Sequence, residues 1–172
     1  MLWSRLAIYL LASAVFFGSF FMTLWLTGPQ SPLASDNRSY AERLAAYPIV
    51  DSADLEKSAQ RAKLTPSRQL LGYVDAIRRI DDQNVMANGW AGDREGDATP
   101  LEVLVFVAGP LVATAHTQGE RPDVTASHLL GPGAEKNVAF ALSFPCRRGD
   151  EPVVAVVGRE NQYSPMQSGR CP

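Results

Sequence analysis

The sequence predicts a mainly β protein with a single N-terminal transmembrane helix, a short helical spacer and one antiparallel, immunoglobulin-like β-sandwich of about six to eight strands. Three observations predict this class. A long apolar segment lies near the N-terminus, helix-forming residues dominate the stretch after it, and from Ser67 onward apolar residues recur with a period of two. We therefore divide the chain into a membrane anchor over 1–30, a partly helical linker over 31–66 and a β-sandwich domain over 67–172.

The segment Leu6–Leu26 has the length and composition of one membrane crossing. A bilayer core about 30 Å thick requires roughly 20 apolar residues in a helix, and Arg5 is the only charged residue before Asp36. The alternatives are a cleavable signal peptide, whose apolar region would be shorter at about 7–15 residues, and a buried core helix, which would need a larger partner domain. Arg5 places the N-terminus in the cytoplasm under the positive-inside rule. The remainder of the chain is then expected in the periplasm or outside the cell.

The only two cysteines, Cys146 and Cys171, both lie in the C-terminal part of the chain. An even number of cysteines in a domain outside the cytoplasm predicts a disulfide, which would close the C-terminal tail and contribute on the order of 3 kcal/mol to stability. The alternative is a pair of free thiols in a reducing compartment. Free cysteines prefer apolar cores, whereas these two lie in a polar tail that contains glycine and proline.

The predicted linker contains two helical segments. The first covers about Ser39–Tyr47, and the second follows Asp51, a candidate N-cap, and runs to about Lys63. We interpret the pair as a membrane-proximal spacer. The alternative is a helix that packs against the membrane domain of a partner.

Six strands are predicted after Ser67, separated by turns that are rich in glycine, proline and aspartate. They are Gln69–Ile80, Val85–Ala91, Leu101–Ala108, Leu111–Thr117, Asn137–Pro145 and Pro152–Arg159. Leu101–Ala108 is apolar on both faces, which is typical of a central strand that is covered on both sides. The short turn after it predicts an antiparallel hairpin with the next strand. Asp123 is expected to cap a short helical turn over Val124–Leu130.

Several short motifs follow one another along the predicted strands: GWAGD at Gly89–Asp93, then LEVLVFVAG, ERPDV at Glu120–Val124 and VAFAL at Val138–Leu142. In this order they resemble a small β-sandwich module of bacterial proteins, over Gly72 to about Gly158. That family often occurs beside glycosyltransferases and other surface-polysaccharide proteins. The resemblance implies a non-catalytic accessory domain. Its structural motif residues would be Trp90, Asp93, Arg121, Pro122, Asp123 and Phe140. This chain differs by its N-terminal anchor, its two-cysteine tail and the lack of an attached enzyme domain.

Two of the motif residues, Trp90 and Arg121, are also candidate ligand contacts. A tryptophan in an alternating strand is more often a core residue, but Trp90 is also suited to stacking against a sugar ring. Arg121 is suited either to a ligand or to pairing with a nearby carboxylate. In the second case Asp123 would cap the helical turn and Pro122 would fix its first residue.

The sequence predicts no catalytic, cofactor-binding or metal-binding residues. His116 and His128 are the only histidines, and their spacing is not that of a metal pair. No nucleophile elbow of the G-x-S-x-G type is present. The carboxylates of Asp93, Glu95 and Asp97 form a weak calcium pattern that we interpret as a solvated loop. With 16 basic and 18 acidic residues and a net charge of −2, the chain predicts no basic face, so nucleic acid is not an expected partner.

The expected function is therefore that of a membrane-anchored, non-catalytic binding or scaffolding module outside the cytoplasm, for a protein or polysaccharide partner. An alternative is an accessory subunit of a larger membrane complex, held through its transmembrane helix. Small residues such as Ser13, Gly18 and Ser19 would allow close helix packing in that case. The third possibility is an enzyme with an unrecognised site.

Overall fold

The computed structural model describes residues 39–96, 98–131 and 136–172, so the predicted anchor Leu6–Leu26 and residues 31–38 of the predicted linker lie outside the described residues. The described chain is mainly β, with few helices. Among these residues, no helix has both the length and the apolar composition that a membrane crossing requires. The elements in chain order are α1 (Tyr40–Ala45), α2 (Ser52–Arg61), β1 (Thr65–Pro66), β2 (Leu70–Arg79), β3 (Asn84–Asp93), β4 (Glu102–Phe106), β5 (Leu111–His116), α3 (Pro122–Ala126), β6 (Ala139–Pro145), β7 (Val153–Val157), a 3-10 turn (Arg159–Asn161) and β8 (Gln162–Met166).

The strands form two sheets. The five-stranded sheet has the order β1-β8-β7-β4-β5, and the three-stranded sheet has the order β2-β3-β6. All pairs within the sheets are antiparallel except β1 with β8. The predicted hairpin of β4 and β5 is confirmed. The turn between β2 and β3 forms where the sequence predicts it, because the Asp81 carboxylate accepts the backbone N–H groups of Gln83 and Asn84, each at 2.8 Å.

The first cluster of buried residues lies between the two sheets. Side chains alternate along a strand, so every second residue points to the same face. Val103 and Val105 of β4 thereby meet Val85 and Phe140 of the three-stranded sheet in this cluster. Since inward-facing residues of both sheets share one cluster, the inner faces of the sheets cover each other.

The second cluster lies on the other face of the five-stranded sheet. Leu104 and Phe106 of β4 are fully buried there against residues from α1, α2 and the chain around them, including Leu44 and Leu55. The central strand is thus covered on both sides, as its apolar residues predict. The segment 39–66, which the sequence suggested was a linker, is part of the domain, because its helices supply the second covering layer.

Two strands, β1 and β8, are absent from the sequence prediction. β8 is polar and contains Pro165, which lacks the N–H group that a central strand needs. The structure accommodates this proline because β1 pairs only with Gln162 and Tyr163. Opposite Pro165, the described residues pair with β8 from one side alone, through Ala155 of β7.

The predicted disulfide joins Cys146 to Cys171. Both cysteines are buried, with 4% and 2% of their surface exposed. Backbone hydrogen bonds support the connection, since the N–H group of Cys171 donates to the Asp150 carbonyl and that of Gly149 donates to the Cys171 carbonyl, both at 2.9 Å. The C-terminal tail is therefore tied to the turn between β6 and β7.

Candidate functional site

The candidate site is the outer face of the three-stranded sheet, which points away from the five-stranded sheet. Along β3, Val85, Ala87 and Ala91 are buried in the core between the sheets. By the alternation of a strand, Met86 and Trp90 point outward. Trp90 is half-buried and belongs to neither cluster of buried residues. The sequence favoured a core position for it, whereas the structure places it on the outer face.

Trp90 has an aromatic neighbour on the same face. Tyr73 of β2 is its direct cross-strand partner, and the Tyr73 side chain is 46% exposed. Directly opposite residues in an antiparallel pair have Cβ atoms about 4.5–5.5 Å apart, so the two side chains are adjacent. On the other side of Trp90, β6 presents only the small Ala139. The outer face therefore carries an aromatic pair beside a strand of small residues.

A segment that we call the strap, residues 119–131, crosses one end of this face. It begins beside β6, where Gly119 forms a bridge with Asn137. It ends over β3, because a Cβ atom added at Gly92 would lie 2.5 Å from Cδ1 of Leu130. A larger residue at this position would displace the Leu130 side chain, so the last residue of the GWAG sequence serves the packing of the strap.

Arg121 fastens the strap to β2. Its Nη1 lies 2.6 Å from Oδ2 of Asp75, and its Nη2 and Nε donate to the two carboxylate oxygens of Asp123 at 2.6 and 2.8 Å. Asp75 lies at the irregularity in the β2–β3 register between Val74 and Ala76, and such bulges redirect a side chain. The candidate ligand contact Arg121 is therefore bound to two carboxylates of the protein itself.

The ion pairs shift the ionisation of both partners. The hydrogen bonds from Arg121 lower the pKa of Asp123 to about 2, and those from Asp123 and Asp75 raise the pKa of Arg121. A carboxylate that accepts two hydrogen bonds from a guanidinium is favoured in its charged form. Arg121 and Asp123 are consequently both charged across the physiological pH range.

The helix in the strap begins two residues earlier than the sequence predicts and ends four residues earlier. α3 covers Pro122–Ala126, its N-cap is Arg121, and no side chain caps it. The predicted short helix is therefore confirmed, but its bounds Val124–Leu130 and its N-cap Asp123 are wrong. Proline fits the first helical position because its φ angle is already helical and its missing N–H is not needed there. The carboxylate of Asp123 pairs with Arg121 instead of capping.

The other motif residues hold the scaffold of the face. Phe140 is buried between the sheets, and a Cβ atom at its cross-strand partner Gly89 would lie 2.7 Å from Cζ of the Phe140 ring. Asp93 ends β3 and accepts the backbone N–H of Glu95 at 3.0 Å. These contacts explain why a glycine precedes Trp90: the large Phe140 ring fills the inner side of β3 at that point.

Three open depressions also occur on the described part of the domain. One of about 400 Å³ lies at the end of β3 and includes Asp93, Glu95 and Arg159 in its lining. Another of about 630 Å³ lies beside Cys146, and a third of about 420 Å³ includes Val50. Neither histidine lines any of the three. In residues 39–96, 98–131 and 136–172, no group of three or more His, Cys, Asp or Glu residues could hold a metal ion; Asp97 lies outside these ranges.

The fold and the face together define a mainly β domain with two sheets, an aromatic pair on the outer face of one sheet and a strap that Arg121 links to β2. Comparison of the chain with protein-family models, curated proteins and solved structures found no match. The resemblance to the bacterial accessory module therefore stays a prediction based on its motifs.

Proposed function

We propose that the protein is a non-catalytic binding or scaffolding module whose contact surface is the outer face of the three-stranded sheet. The observation that carries the proposal is the aromatic pair Tyr73–Trp90. An antiparallel sheet that faces water on one side normally presents polar residues there. Such a cross-strand pair contributes only about 0.2–1 kcal/mol to the sheet, whereas aromatic residues are enriched where proteins contact partners.

Other exposed apolar residues support the same surface. Large exposed hydrophobic side chains are informative when they cluster. Among the described residues there are five, of which Tyr73 (46% exposed) and Met86 (44%) lie on the outer face and Leu129 (41%) lies on the strap. A patch of this kind is suited to a protein or polysaccharide partner.

We further propose that the domain is an immunoglobulin-like β-sandwich held outside the cytoplasm by Leu6–Leu26 as a single-pass anchor, with the N-terminus in the cytoplasm. The apolar segment supports the anchor by its length. The buried disulfide Cys146–Cys171 supports the location, because disulfides persist in oxidising compartments such as the periplasm. The resemblance of the motifs to a bacterial accessory module supports a role at the cell envelope.

Affinity purification of the full chain in mild detergent tests the contact surface. We expect Tyr73→Ala and Trp90→Ala to lose the molecules that copurify with the unchanged protein. The matched control is Tyr47→Ala, since Tyr47 is also half-buried but follows α1 and stacks with Arg61 on the helical side of the domain. If all three variants retain the same molecules and only changes in Leu6–Leu26 remove them, the protein is instead an accessory subunit held through its transmembrane helix.

A further inference from the structure

We infer that the outer face takes an uncharged polysaccharide chain, which lies along β3 across Trp90 and Tyr73. The inference rests on the proposed function, because it names the class of ligand for the same surface. It is carried by three properties of the described residues: the chemistry of the side chains, the size of the open face and its balance of charge.

The side chains along the outer face match the two surfaces of a sugar. The apolar C–H faces of sugar rings pack on aromatic rings, which Tyr73 and Trp90 supply as adjacent cross-strand partners. Sugar hydroxyl groups need partners that both donate and accept hydrogen bonds. Asn88 points to the same face two residues before Trp90, and its amide does both.

The open part of the face is small compared with a stable protein interface. From Met86 to Trp90 it extends about 13 Å along β3, and the two spacings between three strands give it a width of about 10 Å. The strap closes the end beyond Trp90, where Leu130 packs against Gly92. Its Arg121 also reaches Asp75 at the β2 side of the face, level with Asn88 and Gly89 of β3. A stable protein interface buries about 800 Å² on each partner, several times this area. A chain one sugar wide fits within it, whereas a folded protein or a second copy of the domain would have to extend well beyond it.

The charges on the face favour a neutral ligand. Arg121 is bound to Asp75 and Asp123. Among the described residues of the outer face and the strap, the other charged side chains are Arg78, across from Met86, and the exposed Glu120. The two positive groups are therefore outnumbered by three negative ones. An anionic polysaccharide would need an excess of positive charge, and the face has none.

The test uses the full chain with Trp3→Phe and Trp25→Phe, which leaves Trp90 as the only tryptophan. The protein is kept in a detergent without a sugar head group and titrated with four neutral probes, namely malto-, cello-, laminari- and chitohexaose. Alginate serves as the anionic probe. We expect at least one neutral hexaose to shift the Trp90 emission to shorter wavelength and alginate to have no effect. Tyr73→Ala and Asn88→Ala should weaken the response about tenfold or more, with Tyr47→Ala unchanged.

A thermal melt of each variant shows whether it is folded. If the Tyr73→Ala variant does not fold, the Asn88→Ala variant still tests whether the outer face binds the probes. A response to alginate alone, or to none of the four hexaoses, would overturn the inference. If copurifying molecules are nevertheless lost with Tyr73→Ala, the proposed function stands and only the class of ligand is wrong. If neither assay responds to changes at Tyr73 or Trp90, both proposals fail.

Discussion

The two outward faces of the sheets differ in what covers their apolar side chains. On the five-stranded sheet, Leu104 and Phe106 are fully buried beneath α1 and α2. On the three-stranded sheet, Tyr73 and Met86 are nearly half exposed, and the strap crosses only one end. Apolar residues on the first face are explained by the fold of the chain itself. Those on the second face are left uncovered by the described chain, and for this reason we propose that surface as the one that contacts a partner.

The largest expected effect is on the covered face. Phe106→Ala should lower the free energy of unfolding by about 3–5 kcal/mol, because it leaves a cavity between the sheet and the helices. Tyr73→Ala on the open face should lower it by less than about 1 kcal/mol. Denaturant unfolding followed by circular dichroism measures both. Equal losses would mean that the open face is as much a part of the core as the covered one.

The disulfide should have the next largest effect, because it ties the tail to the turn between β6 and β7. Replacing both Cys146 and Cys171 by serine should cost about 3 kcal/mol of unfolding free energy, as the unfolded chain gains conformational freedom. The same unfolding experiment gives the value, with the single variant Ser143→Ala on β6 as a control. A double variant as stable as the unchanged protein would show that the tail is held by its other contacts.

The fastening of the strap should depend on pH. Because Arg121 lowers the pKa of Asp123 to about 2 in the folded state, compared with about 3.9 in an unfolded chain, the pair stabilises the fold above about pH 4. This contribution is lost as the pH falls through about 2. Arg121→Ala should remove that part of the pH dependence and lower the melting temperature only modestly, since such exposed pairs contribute little. Identical acid-unfolding curves for the two proteins would show that the pair does not fasten the strap.

The smallest effect concerns Glu102, at the edge of the covered face. Burial raises the pKa of Glu102, the residue at the start of β4 that shares a face with Leu104. A carboxyl group with a raised pKa in the folded state favours folding below its unfolded pKa, and this advantage disappears as the pH rises through the folded pKa. Glu102→Gln should therefore raise the melting temperature slightly at pH 7 but not at pH 3. A decrease at pH 7 would show that the ionised carboxylate stabilises the fold.

The strands were predictable from the sequence to the extent that their apolar residues alternate. Six of them appear in the structure near the predicted positions. β8 was missed because its polar residues and Pro165 resemble a loop, and it is ordered by pairing with β7. The helices were predicted, but their covering role was not, because the sequence shows that one side of α2 is apolar without showing what that side contacts.

The sequence predicted individual residues of the candidate site but not how they are arranged on the outer face. Trp90 and Arg121 were identified, but alternation along β3 does not say which of its two faces is buried. Which face of β3 is buried depends on Phe140, a residue far along the chain. Its ring fills the inner side of β3 at Gly89, so Trp90 lies on the outer side. Tyr73 was not identified, since its role follows from the β2–β3 register. The sequence signal that could have found it is that Tyr73 lies two residues after Leu71, on the same face of the predicted strand Gln69–Ile80.

The central claim is that the open face, and not the helical side of the domain, contacts a partner. Its most direct test is photocrosslinking in intact cells with benzoylphenylalanine at position 73 or at position 47, because benzophenone inserts into C–H bonds of both proteins and glycans. We expect adducts from position 73 that disappear when Trp90 is also changed to alanine, and none from position 47. Adducts of equal yield from both positions, or from position 47 alone, would contradict the claim.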